Sequence, residues 1–479
     1  MEIKLNKERL LDKIHGCWIG KNIGGTMGAP YEGLRKTLNI EGFATKKGEP
    51  LPNDDLDLQL VWLKALEEVG PHAMSANVLS EYWLTQVAPH WNEYGICKAN
   101  MQKGIMAPLS GELYNDDWRH SNGAWIRSEV WACLAPGFPN VAIKYAIMDS
   151  VIDHGISEGT IAEIFTAALE SIAFVETDLR KIIETALGYI PENSRVAQTV
   201  RLVLNEYDKK TPYLEVREKV VETTADIGWF QAPNNIGFTV IGLMYGEGDM
   251  KKSLVYAINC GDDTDCTAAT CGAILGIIAG AKNIPTELSE YIGDRIVTCS
   301  INASYYGYPK SCKELSDRVI KLIPSVLFAQ GVYTEYTDGE DVFDKEEAAK
   351  ILENYSLEYT KRSPLSFEVT GGYFLKAIVE YEKAPVVKAG DTFKVKVTYH
   401  HKYEQTLVAN LDMILPEGWT SDCPRTMFIN YNNQKPRFGS TLEFTITVGE
   451  KVDAVNQPML RTTYLTNPMP LCIPITLLG

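Results

Sequence analysis

A mainly α-helical domain followed by a C-terminal immunoglobulin-like β-sandwich is the fold class predicted by this 479-residue sequence. Three observations predict it. Apolar residues recur at helical spacing up to about Ser325 and then alternate in pairs beyond residues 331–363; glycines recur every fourth residue in two distant segments; and two carboxylate-rich stretches each stand at the mouth of an apolar helix.

The helical part is punctuated by short Gly/Pro breaks at Gly70-Pro71, Pro136-Gly137 and Pro233-Asn234. Leu56, Leu60, Leu63 and Val69 fall near one helix face, and Gly70-Pro71 ends that helix. In the C-terminal part Phe393, Val395, Val397 and Tyr399 alternate with polar residues, as do Leu442, Phe444, Ile446 and Val448, while Lys388-Ala389-Gly390-Asp391 and Pro416-Glu417-Gly418 read as turns. About seven short strands suit a sandwich. The expected organisation is residues 1–330 all-α, 331–364 linker and 365–479 sandwich.

Gly16, Gly20, Gly24 and Gly28 form one stripe on a helix. Each glycine costs a helix about 1 kcal/mol relative to alanine, so the row needs compensation from close backbone packing. The expected partner is the helix bearing Gly272, Gly276 and Gly280.

A formal charge of −16 and the lack of a Lys/Arg-rich run argue against a nucleic-acid partner, which needs a basic face. Ten cysteines are scattered without disulfide-scaffold or C-x-x-C spacing, and the charged N-terminus lacks the apolar stretch of a signal peptide, so a reduced, cytoplasmic protein is expected. The most apolar window, Thr264 to Ala281, is shorter than the ~20 residues of a membrane span and reads as a buried helix.

Asn53-Asp54-Asp55-Leu56-Asp57 and Gly261-Asp262-Asp263-Thr264-Asp265-Cys266 both open helices. Capping and the helix dipole explain one or two acids in a first turn, not two such clusters. If Glu32, Asp54, Asp55, Asp263 and Asp265 converge, each pair of like charges at 4 Å opposes the other by about 4 kcal/mol at an effective dielectric of 20. Two divalent cations nearly balance such a set. Its oxygen ligands favour Mg2+, with Mn2+ or Ca2+ also suited, over zinc.

At these residues, over roughly Leu10 to Ala281, the chain resembles the ADP-ribosylglycohydrolase family, whose fold is an orthogonal helical bundle. Gly28-Ala29-Pro30-Tyr31-Glu32 matches the turn closing the family's Gly-rich helix, which implies a metal and catalytic role for Glu32. Asn53-Asp54-Asp55 matches its first metal motif, and Asp263, Asp265 and Cys266 match the second. Ser121-Asn122-Gly123-Ala124-Trp125-Ile126-Arg127 resembles the segment lining the ADP-ribose pocket, so Ser121, Asn122 and Gly123, with His154, are implied to bind substrate. The chain departs from the pattern at Asn53 for Thr or Ser, Leu56 for Thr, Gly25 for Asp and, most importantly, Cys266 for a Thr or Ser ligand. Thiol sulfur is a poor partner for magnesium.

The resemblance implies a metal-dependent hydrolase of a ribosyl glycosidic bond, acting on an ADP-ribose-like or other ribosyl small molecule. The competing expectations are a hydrolase of nucleosides or other N-ribosyl metabolites, and a non-catalytic ADP-ribose-binding or structural protein on the same scaffold. A homo-oligomer is compatible with all three.

Overall fold

The computed structural model describes residues 1–302, 304–371, 374–403, 405–430, 440–464 and 469–479. The chain divides into two units, Met1–Gly95 with Asn115–Lys361, and Ile96–Tyr114 with Arg362–Gly479.

The first unit is mainly helical. Its long helix Lys7–Gly28 is capped by Asn6, whose side chain accepts from the Arg9 amide, and Asp54–Val69 is capped by Asn53 in the same way from Asp55. Leu56, Leu60 and Leu63 are buried, and Gly70, at φ 78°, ends the second helix as its spacing predicts. Pro139–His154 and Glu158–Ala173 are almost wholly buried helices, and Thr264–Ala279 is another.

The glycine stripe packs where its spacing requires. A methyl group added at Gly16, Gly20, Gly24 or Gly28 would run into the backbone carbonyl of Gly276, Gly272, Ala268 or Thr264 respectively. The two helices therefore run antiparallel in backbone contact, and from Gly16 to Gly28 the first is buried all round, as is the facing stretch Thr264–Ile277. Gly280 is not a rung of this ladder; it caps the helix C-terminus at φ 75° against Asp12.

Residues 331–361, expected as part of a linker, lie in the first unit. There strand β2 (Tyr333–Thr337) pairs in parallel with β1 (Glu2–Asn6). Alternation over five residues is too weak a signal to reveal such a pairing.

The second unit holds β3 (Ser366–Gly371), β4 (Leu375–Tyr381), β5 (Thr392–His401), β6 (Leu407–Ile414), β7 (Thr420–Ser421), β8 (Thr426–Ile429), β9 (Ser440–Thr447), β10 (Val455–Asn456), β11 (Met459–Tyr464), β12 (Leu471–Pro474) and β13 (Leu477–Leu478). While β10 and β13 pair with each other, one sheet has the order β3-β4-β5-β9-β7 and a second β12-β11-β6-β8, all antiparallel. Inward residues of both, such as Val395, Val397, Phe444, Ala409 and Leu460, make one core, the two-sheet arrangement that the alternation predicts. Ile105 and Leu109 join that core, and Thr476 Oγ1 donates to the Gly104 carbonyl at 2.8 Å, so the segment 96–114 packs with strands distant in sequence.

None of the ten cysteines, all of them among the described residues, forms a disulfide. Among the described residues no helix is long and apolar enough to cross a membrane.

Candidate metal centre

The glycine ladder decides where the acids meet. Its last rung sets Gly28 against Thr264, and the Thr264 hydroxyl donates to the Gly28 carbonyl at 2.9 Å. The turn bearing Glu32 is thereby laid on the start of the helix Thr264–Ala279. Two backbone bonds fix it further: Gly33 N–H donates to the Asp262 carbonyl at 2.8 Å, and Asp262 N–H donates to Leu34 at 3.0 Å.

Asp262 itself is structural. At φ 68° it turns its carboxylate away to accept from the Phe230 amide (3.0 Å) and from the side chains of Asn235 (2.9 Å) and Asn234 (3.2 Å). The next residues face the other way. Carboxylate oxygens of Glu32, Asp263 and Asp265 lie within 4.8 Å of one another, and so do ligand atoms of Asp55, Asp265 and Cys266. Asp265 belongs to both groups.

Asp55 Oδ2, Asp263 Oδ1 and Asp265 Oδ1 are buried without a hydrogen-bond partner. A buried carboxylate oxygen left unpaired is strongly unfavourable, so three on two touching groups fit divalent cations, which the oxygen-rich donor set suits. Asp54 accepts from the Tyr94 hydroxyl at 3.2 Å. Asn53 uses its amide oxygen as the helix cap, 2.7 Å from the Asp55 amide. Cys266 Sγ contacts Asp55 Oδ1 at 3.3 Å.

Electrostatics reflect the crowding. Repulsion from Asp265, then burial, then Asp54 push Glu32 up to about 7. Burial and Asp265 raise Asp54 to about 6. Burial also drives Asp55 and Asp263 well above the carboxylate range, the latter reinforced by Asp265 and Glu32. Burial lifts the Cys266 thiol well above its ordinary value, with the neighbouring carboxylates adding to it. Burial and crowding of like charge thus push each of these groups towards its neutral form, the opposite of what a bound cation would favour.

Of the residues expected to bind substrate, Asn122 reaches the acids directly: its Nδ2 donates to Asp263 Oδ2 at 2.6 Å, while its oxygen accepts from Trp125 Nε1 at 3.0 Å. Ser121 and His154 form an interior pair, Oγ to Nε2 3.1 Å, and His154 Nδ1 lies 2.9 Å from Asp153. The Gly123 carbonyl accepts from Arg127, which also pairs with Asp149 and Asp153 at 2.8 Å each. Arg127 therefore pins the segment 121–127 to the helix Pro139–His154.

Sequence reading missed several participants. Lys21, fully inside the glycine helix, places its ammonium 2.7 Å from Glu129 and 3.8 Å from Asp55 Oδ2. A lysine among stripe glycines was a usable signal, since the helix is buried all round from Gly16 to Gly28. Asp57 accepts from the amides of Cys299 and Ser300, both at 2.6 Å, and Tyr94 comes from a helix with no local mark of function.

The family model for ADP-ribosylglycohydrolase matches residues 6–320. A solved structure described as an ADP-ribosylglycohydrolase-related protein complex is similar at 17% identity, covering 67% of this chain and 99% of that chain with a TM-score of 0.43. No curated protein matches the chain. The ordered motifs meeting at one acidic centre and a family match over most of the chain lead to one conclusion: this chain belongs to the ADP-ribosylglycohydrolase family.

Proposed function

We propose that the chain is a divalent-metal-dependent hydrolase that cleaves a ribosyl glycosidic bond, with an ADP-ribosyl group as the favoured substrate. Membership of a glycohydrolase family supports the reaction class. The observation that carries the metal reading is the pair of ligand groups joined at Asp265, with buried carboxylate oxygens that have no hydrogen-bond partner. Mg2+ is the favoured ion and Mn2+ the second.

Glu32, Asp263 and Asp265 would hold one cation and Asp55, Asp265 and Cys266 a second, with Asp54 adjoining. Bound there, divalent ions supply a Lewis acid that binds substrate oxygens and lowers the pKa of water. Glu32 is the exposed member of the cluster, and a carboxyl raised to about 7 can take or give a proton near neutral pH, the property of a general base or acid. Asn122 orients Asp263, and Tyr94 orients Asp54. The anionic surroundings favour positive charge developing on a ribose ring.

The test is paired. Mg2+ or Mn2+ should raise the melting temperature, since a ligand of the folded state stabilises it by mass action. Peptides ADP-ribosylated on arginine or serine should be hydrolysed. Turnover restricted to a nucleoside panel would move the substrate to N-ribosyl metabolites, a reading that Cys266 favours because it alters a ligand position. Absence of any metal shift would favour a non-catalytic scaffold.

A further inference from the structure

We propose that the two ligand groups sharing Asp265 are unequal cation positions: Glu32, Asp263 and Asp265 take a hard divalent ion, whereas Asp55, Asp265 and Cys266 take only a thiophilic one. This rests on the metal reading above and refines it.

The donor sets differ first. The former offers only carboxylates. The latter includes a sulfur held 3.3 Å from Asp55 Oδ1, and sulfur selects soft or borderline ions over magnesium or manganese. Their surroundings differ as well. Asp263 is held by the neutral amide of Asn122, which leaves its full charge available to a cation. Asp55 faces the ammonium of Lys21, 3.8 Å from Oδ2.

That ammonium is completely buried and tied to Glu129 Oε1 at 2.7 Å and to the Ile126 carbonyl at 2.8 Å, so it cannot swing away. A hard ion on Asp55 would share one carboxylate with a fixed positive charge and would share Asp265 with the other position. Screening by solvent salt is weak at such depth. A thiophilic ion gains a metal–sulfur bond in exchange, its binding releasing the Cys266 proton to solvent.

The experiment uses the full-length, metal-free chain. Titration with Mn2+, read by calorimetry and electron paramagnetic resonance, should give one equivalent, with any second bound at least about tenfold more weakly, the scale on which a metal site's surroundings act. Adding Cd2+ to the Mn2+-loaded protein, its accessible thiols at Cys299, Cys423 and Cys472 alkylated beforehand, should bring up the ultraviolet sulfur-to-cadmium band, which excess Mn2+ fails to remove. Cys266→Thr should lose that band and tighten the second Mn2+ equivalent. Two Mn2+ of equal affinity in the unmutated chain, no cadmium band, or a band that persists in Cys266→Thr would each overturn the proposal. The Mn2+ count and the band are read on the native protein, so they decide even if the variant does not fold. Zero Mn2+ bound would be a different result, sinking the metal centre itself and this asymmetry with it.

Discussion

Asp263 has one oxygen held by Asn122 and the other without a hydrogen-bond partner, so on the proposed metal centre Asn122 is a positioning residue for a ligand. Asn122→Ala should weaken Mn2+ binding by about 10- to 100-fold. It should also lower stability by about 1–3 kcal/mol, because Trp125 Nε1 loses its acceptor. Calorimetry against urea unfolding separates the two effects, and unchanged Mn2+ affinity would remove Asn122 from the centre. Asp263→Ala should abolish both the metal-induced melting shift and hydrolysis; an active variant would refute its role. Glu32→Gln should reduce kcat by about 100-fold or more while leaving the fold intact. The sequence made it legible that these acids meet, because motif spacing is local. It showed Lys21 and Tyr94 poorly, because what they touch is set by tertiary contacts that no short window contains.

At the scale of elements, the antiparallel glycine ladder positions everything else. Gly20→Ala places a methyl against the Gly272 carbonyl. Overpacking of this kind costs about 1–3 kcal/mol, more than the ~1 kcal/mol that alanine returns to a helix. The melting temperature should fall and Mn2+ binding weaken together, since the Glu32 turn rides on the same helix. Gly188→Ala is the control: nothing lies within 4 Å of its added methyl, so its effect should stay within about 0.5 kcal/mol. The ladder was legible because a period of four can be read directly from the chain. Its partner followed from matching the same period elsewhere. The inclusion of 96–114 with the sandwich strands and the β1–β2 pairing were not legible, since both join segments hundreds of residues apart through short elements without a distinguishing pattern.

For the whole molecule, the raised carboxylates predict an unusual pH response. Asp54 (about 6), Glu32, Glu93 and Asp57 (each about 7) bind protons more tightly folded than unfolded. Their contribution to stability is therefore greatest below the unfolded values near 4 and declines as pH rises towards 7. Metal-free protein should lose melting temperature across that interval, and saturating Mg2+ or Mn2+ should flatten the loss by favouring the ionised forms of Glu32 and Asp54. A metal-free melting temperature that climbs over the same interval would contradict the assignment. With a formal charge of −16, self-repulsion acts in the same direction, so Asp54→Asn is the discriminating variant: it should reduce the slope, whereas distant surface charges would leave it unchanged.

The hydroxyl bond from Thr264 to Gly28 spans 236 residues. Closing a loop that long is entropically unfavourable, although the penalty grows only with the logarithm of its length. A nascent chain stopped before Asp262 holds Glu32 and Asp55 but none of the carboxylates of the last motif. On the proposed metal centre, cation capture is a late event in the life of each polypeptide, and a lanthanide emission assay on stalled chains should light up only after that helix has emerged.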